Sequence, residues 1–139
     1  KEATLRRARL SAIDMSGADL RVADLAAADL REANLEGAGM DVANLSHANL
    51  RSARLRGANL CRAMLTGAVL HRAELCHVAL RGADLTRADL TLADLRGADF
   101  TDARMKEVSA RRAVYDARTL FPAGFDPHAA GMTLEERVA

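Results

Sequence analysis

The residues best suited to chemistry are two cysteines, Cys61 and Cys76, the histidines His71 and His77 near the second, and a long series of Asp and Asn. His and Cys close in sequence are the ligand types of a zinc site, but such a site takes four ligands and no fourth stands near. Two cysteines make no disulfide framework, and each reads better as a small filler than as a redox group. The Asp and Asn series is the stronger temptation. Asp14, Asp19, Asp24, Asp29, Asn34, Asn44, Asn49, Asn59, Asp84, Asp89, Asp94 and Asp99 all stand at multiples of five from one another. Paired carboxylates do acid–base work when their surroundings push their pKa values apart. What holds these residues decides whether they do. The sequence has no Ser–His–Asp set and no phosphate-cradling glycine loop, so no catalytic residue, metal ligand or cofactor is assigned.

What holds them is a repeat. From Leu5 to Met105 every fifth residue is Leu, apart from Met15, Met40, Phe100 and Met105. Two positions earlier stands Ala, from Ala3 to Ala103, except at Ile13 and Val78. The Asp and Asn residues lie between the two. A helix turns about 100° per residue, so leucines five apart would spiral around it and form no buried stripe. A straight strand puts Ala and Leu on one face but sends the next pair to the other, because five is odd. The chain must bend once per unit. Gly17, Gly37, Gly57, Gly67, Gly82 and Gly97 fall at the second position after the Leu, where a turn needs backbone freedom. Bending in one sense coils the chain, and neighbouring coils then pair at β spacing of about 4.8 Å.

The motif A-(D/N)-L-x-x over residues 3–105 resembles that of the pentapeptide repeat proteins. The resemblance implies an all-β fold, a right-handed quadrilateral parallel β-helix with four units per coil. Residues i and i+20 would then stack, in about five coils: 3–22, 23–42, 43–62, 63–82 and 83–102, followed by a partial one. Met15, Leu35, Leu55, Leu75 and Leu95 would form one core column. Removing a central member, as in Leu55→Ala, is expected to cost about 2–5 kcal/mol. Ile13 and Val78 overfill alanine slots and predict local widening. Both cysteines take the first turn position and should point outward.

The ends differ. We assign 1–120 to the β-helix, degenerate after 105, and 121–139 to a C-terminal cap. The run YDARTLFPAGFDPHAAG resembles a tail found on many bacterial, especially cyanobacterial, members. Phe121 and Phe125 are placed to plug the open end. Asp126 and Pro127 read as the N-cap and first residue of a short helix that Gly131 stops. Thr133 to Glu136 reads as a capping box opening another helical turn. No such cap precedes Ala3, so Leu5 and Leu10 face an open end. The chain opens on Lys, and the expectation is that an upstream segment or a second copy covers that face.

Charge separates the functional readings. The chain carries 20 basic and 19 acidic residues in 139, a net of +1. That balance hides an arrangement. Coil 2 is acidic, and coil 5 has Asp in all four central slots. Between them Arg51, Arg54, Arg56, Arg62, Arg72 and Arg81 face a single acid, Glu74. Arg54 falls between Asn34 and Glu74, and Arg81 near Asp102, so part of this belt is self-compensated. The remainder suits an acidic partner. The reading is a non-enzymatic structural or protein–protein interaction module whose partner is another protein. No apolar run spans a membrane and no leader opens the chain, so a cytoplasmic location is expected. Some family members imitate duplex DNA and inhibit gyrase. That role needs a strongly negative rod, which a net charge of +1 disfavours. Direct nucleic-acid binding by the arginines is weaker still, because 3% aromatic residues leave little to stack on bases.

Overall fold

The computed structural model describes residues 3–136. Its backbone is a ladder of parallel bridges, each joining a residue to the one twenty positions on, from Thr4↔Asp24 to Asp94↔Val114. Bridged residues recur every five positions, so each coil has four walls. Wall 1 carries Asp24, Asn44, Met64 and Asp84; wall 2, Asp29, Asn49, Val69 and Asp89. Wall 3 carries Asn34, Arg54, Glu74 and Asp94; wall 4, Gly39, Asn59, Ala79 and Asp99. Coils are numbered as above, with coil 3 at 43–62 and coil 4 at 63–82.

One unit shows how the repeat closes. Leu55 N donates to Glu74 O of the next coil at 2.8 Å, and Asn59 N to Ala38 O of the previous one at 2.9 Å. Ala58 N donates back to Leu55 O at 2.9 Å and closes a corner turn, while Gly57 N reaches Cys76 O at 3.0 Å. The second corner residue is left-handed in unit after unit. Glycines there have φ from 66° at Gly37 to 70° at Gly97, but Val22 and Val42 also sit at 62°. The corner therefore demands this conformation whether or not the residue tolerates it, and β-branched side chains tolerate it least.

The inward side chains make a two-component core. The Leu columns from Leu25 to Leu95 are about fully buried, at 0–1% exposure, and the alanines beside them match. Corners closed by Ala have turn bonds of 2.9–3.1 Å, whereas Val78 closes at 3.2 Å, Ile13 at 3.3 Å and Val108 at 3.4 Å. The branched side chains widen their own corners. Coil-to-coil spacing is untouched, for Asn34 N still reaches Ile13 O at 2.8 Å.

At the C-terminal end the ladder shifts by one residue. Asp99 bridges Leu120, not residue 119. Asp116 and Thr119 absorb the extra residue. Asp116 Oδ1 accepts from Gly97 N at 3.1 Å and Thr119 Oγ1 accepts from the same N–H at 3.2 Å. Thr119 Oγ1, in turn, donates to Leu95 O at 3.0 Å. The shift delivers Phe121 into the column above Phe100.

The expected helical cap is corrected. Asp126 Oδ1 does accept from His128 N and Ala129 N, at 3.0 and 3.2 Å, as an N-cap should. The turn then ends at once. Gly131 N bonds His128 O and Met132 N bonds Pro127 O, both at 3.0 Å, with Gly131 at φ 84°. These paired bonds are a helix-terminating motif. They begin within one turn of the cap, so no helix length accrues. The predicted capping box is a strand instead. β1, Val114–Tyr115, pairs in parallel with β2, Thr133–Leu134, which lays one more rung on wall 3. The unpaired edge of wall 3 outweighs the local helix signal. At the opposite end Leu5, Leu10, Ile13 and Met15 are only partly buried.

Candidate interaction surface

The Asp and Asn series has a structural task. Each of the twelve accepts, through its side-chain oxygen, the backbone N–H two residues on: Asp14 from Ser16, Asp19 from Arg21, Asp24 from Ala26, Asp29 from Arg31. The same clasp joins Asn34 to Glu36, Asn44 to Ser46, Asn49 to Arg51 and Asn59 to Cys61. It joins Asp84, Asp89, Asp94 and Asp99 to Thr86, Thr91, Arg96 and Thr101. The first corner N–H points away from the ladder, and only this side chain reaches it. Hydrogen bonds of this kind favour the ionised carboxylate. They hold Asp14 and Asp84 below the ordinary range, with Ser16 and Thr86 as the donors.

Where Arg occupies that first corner position and Asp the central slot, the clasp becomes a fork. Arg31 Nε and Nη2 bond the two oxygens of Asp29 at 2.8 and 2.7 Å, and its guanidinium holds the Asp29 pKa down to about 2. Arg21 forks Asp19 in the same geometry and Arg96 forks Asp94, and both carboxylates are held below the ordinary range.

The His and Cys residues do not assemble. Their ladder positions put His71 at the corner between walls 2 and 3, and Cys76 and His77 at the next corner. Among the described residues no group of three His, Cys, Asp or Glu could hold a metal ion. Cys76 corrects the outward expectation: it is buried, at 7% exposure, whereas Cys61 is half-buried. Burial first, then the Asp94 carboxylate of the coil above, pushes the Cys76 thiol up to about 11. The flanking coil covers the first corner position here, which single-coil reasoning overlooks.

The six arginines divide when placed on the corners. Arg51 and Arg72 share the corner between walls 2 and 3, Arg54 is on wall 3, and Arg56 is at its far corner. Arg62 and Arg81 lie at the corner after wall 4, beside a shallow groove with Cys61, Gly82 and Asp102. Arg54 pairs with Glu36 at 2.7 Å, not with its column neighbour Glu74. Arg81 pairs with Asp99 at 3.3 Å, not with Asp102. Among the described residues no ion pair includes Arg51, Arg56, Arg62 or Arg72. For Arg51 and Arg56 the cause is the central slot. Asn49 precedes Arg51 and Arg54 precedes Arg56, where Asp precedes Arg21, Arg31 and Arg96.

A family model for pentapeptide repeats, in 8 copies, matches residues 2–38, 43–82 and 77–109. The chain belongs to the pentapeptide repeat family. Among solved structures it is similar to Rfr23 from the cyanobacterium Cyanothece 51142, a pentapeptide repeat protein. Identity is 34% and the TM-score 0.66, over 67% of this chain and 63% of that one. It thus spans less than two thirds of Rfr23. It is also similar to HetL from Nostoc sp. strain PCC 7120, a pentapeptide repeat protein involved in heterocyst differentiation regulation. There identity is 29% and the TM-score 0.50, over 93% of this chain and 69% of HetL. No curated protein sequence matches the chain. Membership carries with it the right-handed quadrilateral β-helix, and the four walls follow from it. Against that pattern one part of this pentapeptide repeat chain stands out. Coil 4 has Met64, Val69, Glu74 and Ala79 in its central slots, with no Asp or Asn. The corner N–H groups of Thr66, His71, Cys76 and Arg81 therefore have no clasp, and neither does that of Arg56 in coil 3.

Proposed function

We propose that the protein is a non-enzymatic interaction module that binds an acidic protein surface through wall 3 and its two corners at coils 3 and 4. One observation carries this reading. Arg51, Arg54 and Arg56 are set at fixed spacing along one rigid wall, with Arg72 one coil above. Arg51, Arg56 and Arg72 are exposed and outside the ion pairs that occupy Arg21, Arg31 and Arg96. A repeating scaffold can present such groups without an active site. Rim charges of this type govern association rate and partner choice, and their effect falls with salt. The test is capture of partners by the wild type against a triple variant, Arg51→Glu, Arg54→Glu and Arg56→Glu. The variant should lose the specific partners that the wild type holds; equal capture would overturn the assignment of this wall.

The alternative, imitation of duplex DNA to inhibit gyrase, asks for a negative surface along the rod. Net charge +1 and the arginines of coils 3 and 4 weigh against it. A supercoiling assay decides, since inhibition at low micromolar protein would reverse the order of the two readings. A second contact, by self-association through the first coil, is supported by the partial exposure of Leu5 and Leu10 beside the buried layers above. Light scattering over a range of concentrations tests it, and Leu10→Glu should abolish any dimer formed there.

A further inference from the structure

We propose that Arg56 is a seat for a carboxylate contributed by an acidic segment of another protein, in the place that an internal Asp takes elsewhere in this chain. The inference rests on the interaction reading above and deepens it to one atom-level contact. Three first-corner arginines of the coils show the filled arrangement. At Arg21, Arg31 and Arg96 one carboxylate accepts the backbone N–H together with Nε and Nη2 of the guanidinium. The three donors converge on a single Asp, with guanidinium contacts of 2.6–2.8 Å.

Arg56 has the same position on its unit and the same corner backbone. Its central slot, however, is Arg54, whose guanidinium is turned to Glu36 at 2.7 Å. Among the described residues nothing accepts from the Arg56 N–H or from its guanidinium. The donor set is therefore complete and the acceptor absent. The coil above extends the vacancy, because Glu74 leaves the Cys76 N–H without a clasp. Arg51 and Arg72 flank the same wall as further unpaired cations. A planar fork with a parallel backbone donor suits a carboxylate, and bidentate Arg–carboxylate pairs are among the stronger charge-assisted hydrogen bonds. An extended acidic segment along wall 3 would set one carboxylate at Arg56 and others against Arg51 and Arg72.

The test is fluorescence anisotropy with a labelled peptide of ten glutamates, and it relies on a matched pair of variants. Arg54→Asn and Arg54→Gln remove the same charge. Only Asn is short enough to clasp the Arg56 N–H from the central slot. The proposal predicts that Arg54→Asn binds about tenfold more weakly than Arg54→Gln, the effect of losing one charge-assisted hydrogen bond. Arg56→Gln should weaken binding by at least as much. Equal affinities for Arg54→Asn and Arg54→Gln would overturn the seat at Arg56 while leaving wall 3 as the docking surface. No binding by the wild type at low salt would overturn both. Tighter binding of a duplex DNA oligonucleotide than of the peptide would overturn the choice of a protein carboxylate.

Discussion

Phe121 stacks on Phe100 with ring centroids 5.7 Å apart and planes 5° from parallel. Phe125 lies a further 5.2 Å out, and Tyr115 meets Phe121 edge-on at 5.4 Å. Phe100 is itself wholly buried as the last member of the column that begins at Leu20. The aromatic stack thus ends the core by widening it into a lid. Phe121→Ala should lower the unfolding free energy by about 2–4 kcal/mol, somewhat under the cost at a fully buried Phe. Urea unfolding measures this; a loss under about 1 kcal/mol would mean the lid contributes little.

Acid should weaken the fold through the clasps. Asp29 is depressed to about 2 by Arg31, and Asp14, Asp84, Asp94 and Asp99 are lowered as well. At Asp94 and Asp99 burial opposes the shift, and hydrogen bonds from Arg96 and Thr101 outweigh it. A carboxylate whose folded pKa is depressed stabilises the fold above its unfolded value, about 3.9, and loses that contribution as pH falls through the folded value. Thermal melts should therefore hold steady from pH 7 to about 5 and fall between about pH 4 and 2. A melting temperature unchanged down to pH 2 would contradict this account of the Asp series.

Strain at the corners can be relieved. Val42 holds φ 62° and is 44% exposed as a residue, so it gives up little core on replacement. Asn visits this conformation readily, and Val42→Asn should raise stability by about 1 kcal/mol. Chemical denaturation of the two proteins compares them directly. A destabilised variant would show that the valine contributes packing that its exposure does not suggest.

The two thiols should differ in reactivity. Cys61 is half-buried, whereas Cys76 is buried with its thiol raised to about 11, which leaves little thiolate at neutral pH. An aromatic disulfide reagent should modify one thiol quickly and the second only on unfolding. Cys61→Ser should remove the fast phase; its survival would place the accessible thiol at Cys76.

The solenoid was legible because one residue type recurs at one spacing, whereas the stacking of Leu35, Leu55, Leu75 and Leu95 in one column followed only from the family resemblance and its four units per coil. The clasping role of Asp and Asn follows from their habit of bonding nearby turn backbone, since each stands just before a turn. Contacts that cross coils were harder to read. Cys76 was expected outside because its unit alone exposes it, and the coil above is what buries it. Arg54 and Arg81 chose carboxylates other than those nearest in their columns, since long side chains reach diagonally. At the C-terminus local helix signals at Asp126 and Thr133 competed with an unpaired wall, and the wall prevailed at β2. The clue to the unclasped corners was present in the sequence, in the Met64, Val69, Glu74 and Ala79 slots, but it acquires meaning only once the clasp is seen elsewhere.

The central claim is that this protein's distinctive surface lies where the clasps are missing. Amide hydrogen exchange followed by NMR tests it residue by residue. The N–H groups of Arg56, Thr66, His71 and Arg81 should exchange at least about tenfold faster than those of Thr86, Thr91, Arg96 and Thr101, which are clasped at equivalent corners. Equal protection in the two sets would mean that the corners of coils 3 and 4 are satisfied in another way, and would contradict the account.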